Sequence, residues 1–350
     1  MNNLTKADIV RSTLIVLLLV GIAMLLVQVT ATLMLIAGAI LVAAVIRAFS
    51  DPLQHRGVPE TLSVLLALII IIALLSGFGY LFGHSLSTQF DNLGSRLTDA
   101  YNMARQWLAS QPFGKAILSS TPDIQSYVGQ ALTVAFGAIG VITNLVLVIV
   151  GGIYLALDPG LYARGTSKLF PKKHSGRVLE ALRESGAVLR RYLAAQLITM
   201  TAVGSLVYIG MMIVDIPSAG ALGLISALTN FIPLIGPFIG AVPGILIAFA
   251  DDPHKIIWAA LVYLVAQQIE GNVLTPIVQR HAVAIPPAVL IFALGAMGTL
   301  FGTIGIVLAA PITVVVYTLV ADLWSRETLG HEVDTLENAG IDDDSETASE

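Results

Sequence analysis

The chain has no cysteine among its 350 residues. Disulfide scaffolds, thiol nucleophiles and thiolate metal sites are therefore excluded. Charge is scarce as well. Asp, Glu, Lys and Arg make up 12% of the residues, against roughly 25% in a typical soluble domain. The basic residues have no interleaved aromatic platform, which argues against nucleic acid as a partner. Six histidines (His55, His84, His174, His254, His281 and His331) are scattered without metal-ligand spacing. No nucleophile-elbow or HExxH pattern occurs. Residues 160–167, GLYARGTS, look superficially like a phosphate-binding loop, but no lysine precedes the Thr/Ser pair and no strand leads into it. These absences speak against an enzyme, against a bound cofactor, and against transport driven by nucleotide hydrolysis in this chain alone.

What the chain has is apolar length. It is 56% hydrophobic, with a mean hydropathy of +0.85. Runs close to the roughly 20 residues needed to cross a bilayer recur along it. The pattern predicts an all-α, polytopic helical membrane protein whose surroundings are the lipid bilayer. Leu14–Val27 follows Lys6 and Arg11, as in a signal peptide, and Val29-Thr30-Ala31 has the look of a cleavage site. Apolar sequence resumes at once from Leu33 to Ile46, so a tight hairpin of two uncleaved spans is expected. Further spans are expected at about 60–82, 136–157, 193–214 and 256–276. The stretch 219–249 is expected to be a Pro/Gly-broken helical hairpin, re-entrant or made of two short passes. Residues 286–321 are long enough to cross twice, or once with a break at GTLFGTIG (298–305).

The segments between the spans complete a membrane transport domain over 1–325. Residues 83–135 are too polar to cross. Phe90, Leu93, Leu97, Tyr101, Ala104 and Leu108 recur at helical spacing, and Thr121-Pro122-Asp123 has the chemistry of a second helix start. Two extracytoplasmic amphipathic helices are expected there, packed against neighbouring spans or subunits. Within 158–192, Asp158-Pro159-Gly160 ends one helix and Pro171 breaks the next. Val178, Leu182, Ser185, Leu189 and Leu193 then form a stripe that predicts a cytoplasmic interfacial helix. Residues 326–350 hold an acidic tail, expected to be disordered. Nine of the 23 acids lie in the last 24 residues, so the net charge of −5 belongs to the tail. With both termini placed in the cytoplasm, 14 of the 18 Lys and Arg residues fall inside, a strong positive-inside bias.

The sharpest functional signal is polar chemistry in apolar surroundings. Residues 230–244, NFIPLIGPFIGAVPG, hold Asn230, three prolines (Pro233, Pro237, Pro243) and a ladder of Gly236, Gly240 and Gly244. Residues 267–276, QQIEGNVLTP, hold Gln267, Gln268, Glu270, Asn272 and Pro276. Ionisable and amide groups at membrane depth usually face a protein interior or a water-filled path. Broken helices are tolerated there where protein or a cavity satisfies the freed backbone. The expected transport pathway therefore runs along these residues. Glu270 is the expected coupling or gating carboxylate, and the amides are expected to hydrogen-bond a small polar solute. Competing readings are a structural hydrogen-bond network with Glu270 reaching toward Arg280, and, for the glycines, close helix packing.

At these residues the chain resembles the bacterial autoinducer-2 exporter family of permeases. The resemblance rests on GGIYLALDPGLY (151–162), NFIPLIGPFIGAVPG (230–244), QQIEGNVLTPIVQRHAVAIPP (267–287) and GTLFGTIGIVLAAP (298–311). It covers about residues 10–325 and leaves out the acidic tail. It implies about eight spans in a bacterial inner membrane and a secondary transporter or permease that exports a small polar solute such as autoinducer-2. As an alternative it implies sodium(lithium)/proton antiport with a monovalent cation as the partner. A homo-oligomer, with five copies as the expected number, is implied by the resemblance alone. A non-transporting membrane scaffold is the remaining alternative.

Overall fold

The computed structural model describes residues 6–111, 138–276 and 285–326. All regular structure in them is helical. In chain order the helices are α1 (Lys6–Gln54), α2 (Glu60–Ser110), α3 (Ala138–Leu157), α4 (Pro159–Ser167), α5 (Lys172–Ile213), α6 (Ala219–Thr229), α7 (Gly236–Asp251), α8 (Lys255–Ile269) and α9 (Pro287–Val320). Wide π-type turns extend α8 over Glu270–Leu274 and α9 over Ala321–Arg326. Among the described residues, five helices are long and apolar enough to cross a membrane. A sixth span results if α3 and α4, bent by 88° at Asp158, count as one.

The expected hairpin between Leu14–Val27 and Leu33–Ile46 does not form, because α1 runs unbroken from Lys6 to Gln54. No glycine or proline lies between Gly21 and Gly38, and a tight reversal of two helices has no residue there suited to a turn. Span three and the polar segment after it also form one helix, α2, which ends at Ser110 just before Pro112. The second expected outer helix, around 121–135, lies outside the described residues. Asp158 behaves as its type predicts: its carboxylate accepts a hydrogen bond from Leu161 N at 2.8 Å and caps α4, with Pro159 in the first turn.

Helix α5 organises the core. Its N-terminal half buries Val178, Ser185, Leu189 and Leu193, so much of the apolar stripe at 178–193 faces protein. Leu189 and Leu193 pack with Ala44 of α1, Phe231 of the 230–235 turn and Val315 of α9. Farther along, Val203, Val207 and Met211 pack with Leu222 of α6, Ile247 of α7 and Ala259 of α8. A separate cluster joins Ile46 of α1, Val64 of α2 and Ala156 of α3. Near it, Arg47 is buried and paired with Glu60, and Asp51 bridges to Arg190 of α5 at 2.8 Å. These pairs tie α1, α2 and α5 together at one end.

Candidate functional site

Two broken hairpins meet beside the middle of α5. The first is α6 and α7, joined by residues 230–235. Its arms have 11 and 16 residues, about 17 and 24 Å at 1.5 Å per residue, and are too short to span roughly 30 Å of hydrocarbon. Pro233 and the positive φ of Leu234 (69°) make the turn, and Pro237 opens α7 in its first turn. Pro243 lies inside α7. The glycine ladder is a packing face. A methyl on Gly236 would overlap the Thr229 carbonyl, and one on Gly240 would come within 3.1 Å of Ser226 Cα. Gly244 gives the same close approach to the ring of Tyr263 on α8.

The second hairpin lies within α9. Gly302 has φ 64° and ψ −147°, a conformation open essentially to glycine alone. A Cβ on Gly305 would overlap the backbone carbonyl of Met297. In a straight helix those two levels would be about 12 Å apart, so the chain doubles back at Gly302. The arms are 287–301 and 303–320. The first hairpin packs on the C-terminal half of α5. The second reaches the N-terminal half through Val315. The hairpins thus approach from opposite ends of α5. Their tips enclose a cavity of about 390 Å³, with Leu234 and Ile235 on one side and Leu294, Gly298 and Thr299 on the other.

Buried polar groups gather behind the first tip. Asn230 is 2% exposed. Its carbonyl accepts a hydrogen bond from Gln196 Nε2 of α5 at 2.7 Å, and its side-chain amide faces the Glu270 carboxyl group. Asn230 Nδ2 and Glu270 Oε2 are both buried and close no well-formed hydrogen bond among the described residues. The same holds for the hydroxyls of Tyr192 on α5 and Tyr263 on α8. Glu270 opens the π-type turn that ends α8, and Thr275 Oγ1 donates to its carbonyl at 2.8 Å. Such wide turns recur at functional sites. A second cavity, of about 310 Å³, is lined by Ser226, Pro237, Phe238, Tyr263 and Gln267.

The structure therefore brings Asn230 and Glu270 together and places Gly236, Gly240, Pro233 and Pro237 in the same hairpin. Gln267 borders the second cavity. Gln268, Asn272 and Pro276 are exposed on the chain's surface and do not join the Asn230–Glu270 pair. Arg280 lies outside the described residues. Sequence reasoning missed Gln196, Tyr192 and Tyr263. Gln196 had a signal, since it is an amide in the apolar run of α5. The tyrosines carry no such mark, and only the fold sets Tyr263 against Gly244.

Residues 14–324 match the AI-2E family transporter model. The chain belongs to this family. Among similar proteins, "Putative transport protein YueF" of Bacillus subtilis is 30% identical over 284 residues, covering 75% of this chain and 77% of that protein. "Putative transport protein YrrI" of the same organism is 35% identical over 162 residues, 46% of each chain. A relative from Mycobacterium tuberculosis, "Putative transport protein MT0215", is 26% identical over 274 residues, 75% of this chain and 74% of that one. These names assign transport and name no solute. An AI-2E membrane protein with this helical architecture is a transporter or permease by family.

Proposed function

We propose that the chain is a secondary transporter of a small polar solute, and that the path passes between the two hairpin tips. The observation that carries this reading is the meeting of two broken hairpins at a cavity, with the buried Asn230 at the base of the first tip facing Glu270. Buried polar groups are normally hydrogen-bonded. Unsatisfied amide, carboxyl and phenol groups at a discontinuity in apolar helices suit a hydroxylated guest or an exchangeable proton. Paired discontinuous segments are a recurring way for secondary transporters to build a site near the bilayer midplane. Glu270 acts in this reading as the coupling carboxylate, Asn230 and Gln196 hold the tip, and no catalytic role is assigned to any residue. A furanone such as autoinducer-2 fits the chemistry of the groups. Cation/proton antiport is the second reading, favoured by the single carboxylate at the tip.

The test is flux in proteoliposomes with and without a proton or sodium gradient. Glu270→Gln keeps the shape of the side chain and removes its titration. Assembled E270Q protein should lose gradient-driven flux by about tenfold or more, equivalent to about 1.4 kcal/mol in the barrier, together with the pH dependence. Wild-type flux at every pH would remove Glu270 from the mechanism. Cation-dependent flux with no solute requirement would favour antiport, and no flux of any tested species would favour a scaffold.

For orientation, we propose that the Arg47 end of α1, the 158–192 segment and the C-terminal tail face the cytoplasm of a bacterial inner membrane. An unbroken α1 that crosses once puts Lys6 and Arg11 on the opposite side from Arg47. That leaves 12 of 18 basic residues inside, still a clear bias. The chain has no cysteine, so introduced cysteines are read without background. An impermeant thiol reagent on intact cells should label Asn3→Cys and Ser95→Cys and spare Ser175→Cys and Ser345→Cys. Protection of Asn3→Cys alone would restore a cytoplasmic N-terminus.

A further inference from the structure

The cytoplasmic end of the α1/α5 seam holds two cavities that belong to neither hairpin. One, of about 360 Å³, is lined by Asp51, His55, Arg190 and Arg191 together with Ala48 and Ala194. The other, of about 540 Å³, shares Ala48 and Ala194 and continues along α5 past Leu197, Ile198 and Ala202 to Ser205. The two form one groove with a basic mouth and an apolar body. We propose that this groove binds an anionic phospholipid, with the headgroup phosphate at Arg190 and Arg191 and an acyl chain along α5.

Charge supports the headgroup end. Asp51 is the acid in the mouth, and it is already held by Arg190 at 2.8 Å and approached by Arg47 at 3.9 Å. Arg47 also pairs with Glu60. Arg191 is exposed and has no ion-pair partner among the described residues. Three arginines thus face two carboxylates, and the surplus positive charge sits at the mouth. Basic pockets between helices on the cytoplasmic side are suited to anionic headgroups.

Length supports the acyl end. From Ala194 to Ser205 the groove follows 11 residues of helix, about 16 Å. That is half of the roughly 30 Å hydrocarbon core, the depth of one leaflet. The walls are small or apolar, and the Thr201 hydroxyl in the groove already donates to Leu197 O at 2.8 Å. Apart from the Ser205 hydroxyl at its far end, the body offers a hydrocarbon chain only small and apolar side chains.

The experiment measures lipid retained by purified full-length protein after extensive detergent washing and re-addition of phosphatidylglycerol, phosphatidylcholine or inorganic phosphate. Wild type should retain phosphatidylglycerol in preference to phosphatidylcholine. Arg191→Gln should weaken phosphatidylglycerol retention about fivefold, the equivalent of about 1 kcal/mol for one basic residue near the surface. Arg183→Gln, an exposed basic site on the same helix but outside the groove, should leave retention unchanged. Ala202→Phe should fill the body and reduce retention with the mouth intact. Arg191 is exposed, so Arg191→Gln carries the test if Ala202→Phe does not assemble. Equal losses from Arg183→Gln and Arg191→Gln would overturn the site in favour of diffuse surface attraction. Thermal stabilisation by inorganic phosphate equal to that by phosphatidylglycerol would overturn the acyl contact. Cross-linking of Ala202→Cys to a second copy would show that protein, not lipid, fills the groove. None of these readouts depends on transport.

Discussion

The hairpin at 230–235 and the hairpin at Gly302 face each other across one cavity, yet they turn by different means. The first holds its reversal by packing. Asn230 is buried and tied to Gln196, Gly236 touches the Thr229 carbonyl, and Leu234 is forced to a positive φ that costs a branched residue roughly 1–2 kcal/mol. The second holds its reversal by one dihedral. Gly302 has open space around it and a conformation that only glycine takes readily. The arms then touch at Gly305 and Met297, as they do at Gly236 and Thr229. A packed, polar, strained tip therefore opposes an open tip that turns on a single residue. The first reversal rests on many contacts, and the second on a single residue.

The strongest way to break the comparison is at the feature the hairpins share. Gly236→Leu and Gly305→Leu each drive a side chain into a backbone carbonyl and should cost about 3 kcal/mol or more, since overpacking without a flexible neighbour has no easy relief. Thermal unfolding in detergent and the yield of assembled protein measure this. If either variant is as stable as wild type, the corresponding arms are not in contact. Next comes Gly302→Ala. It meets no atom, so its cost is the dihedral alone, about 1–3 kcal/mol. It should slow flux more than it lowers the melting temperature if the second tip moves. Leu234→Gly should act in the opposite sense and stabilise the protein by about 1 kcal/mol through relief of the positive φ. A destabilised Leu234→Gly would show that the Leu234 side chain, not the turn, anchors the first tip. The smallest effect is expected at Gly271, where a methyl meets open space. Gly271→Ala should change stability by no more than about 0.5 kcal/mol, and a larger loss would mean that the π-type turn at Glu270 depends on glycine.

The hairpins also show which parts of this fold can be read from sequence. Pro233, Pro237 and the Gly236–Gly244 ladder announce a broken helix because their local chemistry forbids an ordinary one. Asp158-Pro159 and Pro171 mark their breaks for the same reason. Glu270 stands out because an acid in an apolar helix is costly. The continuity of α1 was not legible, because the polar dip at Gln28–Thr32 reads as a turn although none of its residues breaks a helix. The choice of Gly302 over Gly298 as the reversal point depends on packing between arms that sequence spacing does not encode. The pairing of Asn230 with Glu270 joins residues 40 apart, and the exposure of Gln268 and Asn272 follows from which face α8 turns toward α5. Both are tertiary facts.

The long helix α2 carries Trp107 to the far end of the first hairpin, where its ring meets Phe249 edge-on with centroids 6.3 Å apart. The chain has three tryptophans; the others are Trp258 and Trp324. Replacing these two by phenylalanine would leave a single indole whose emission reports on the neighbourhood of α7. The protein thereby carries its own optical gauge of hairpin displacement, readable in real time in a lipid vesicle without an attached dye.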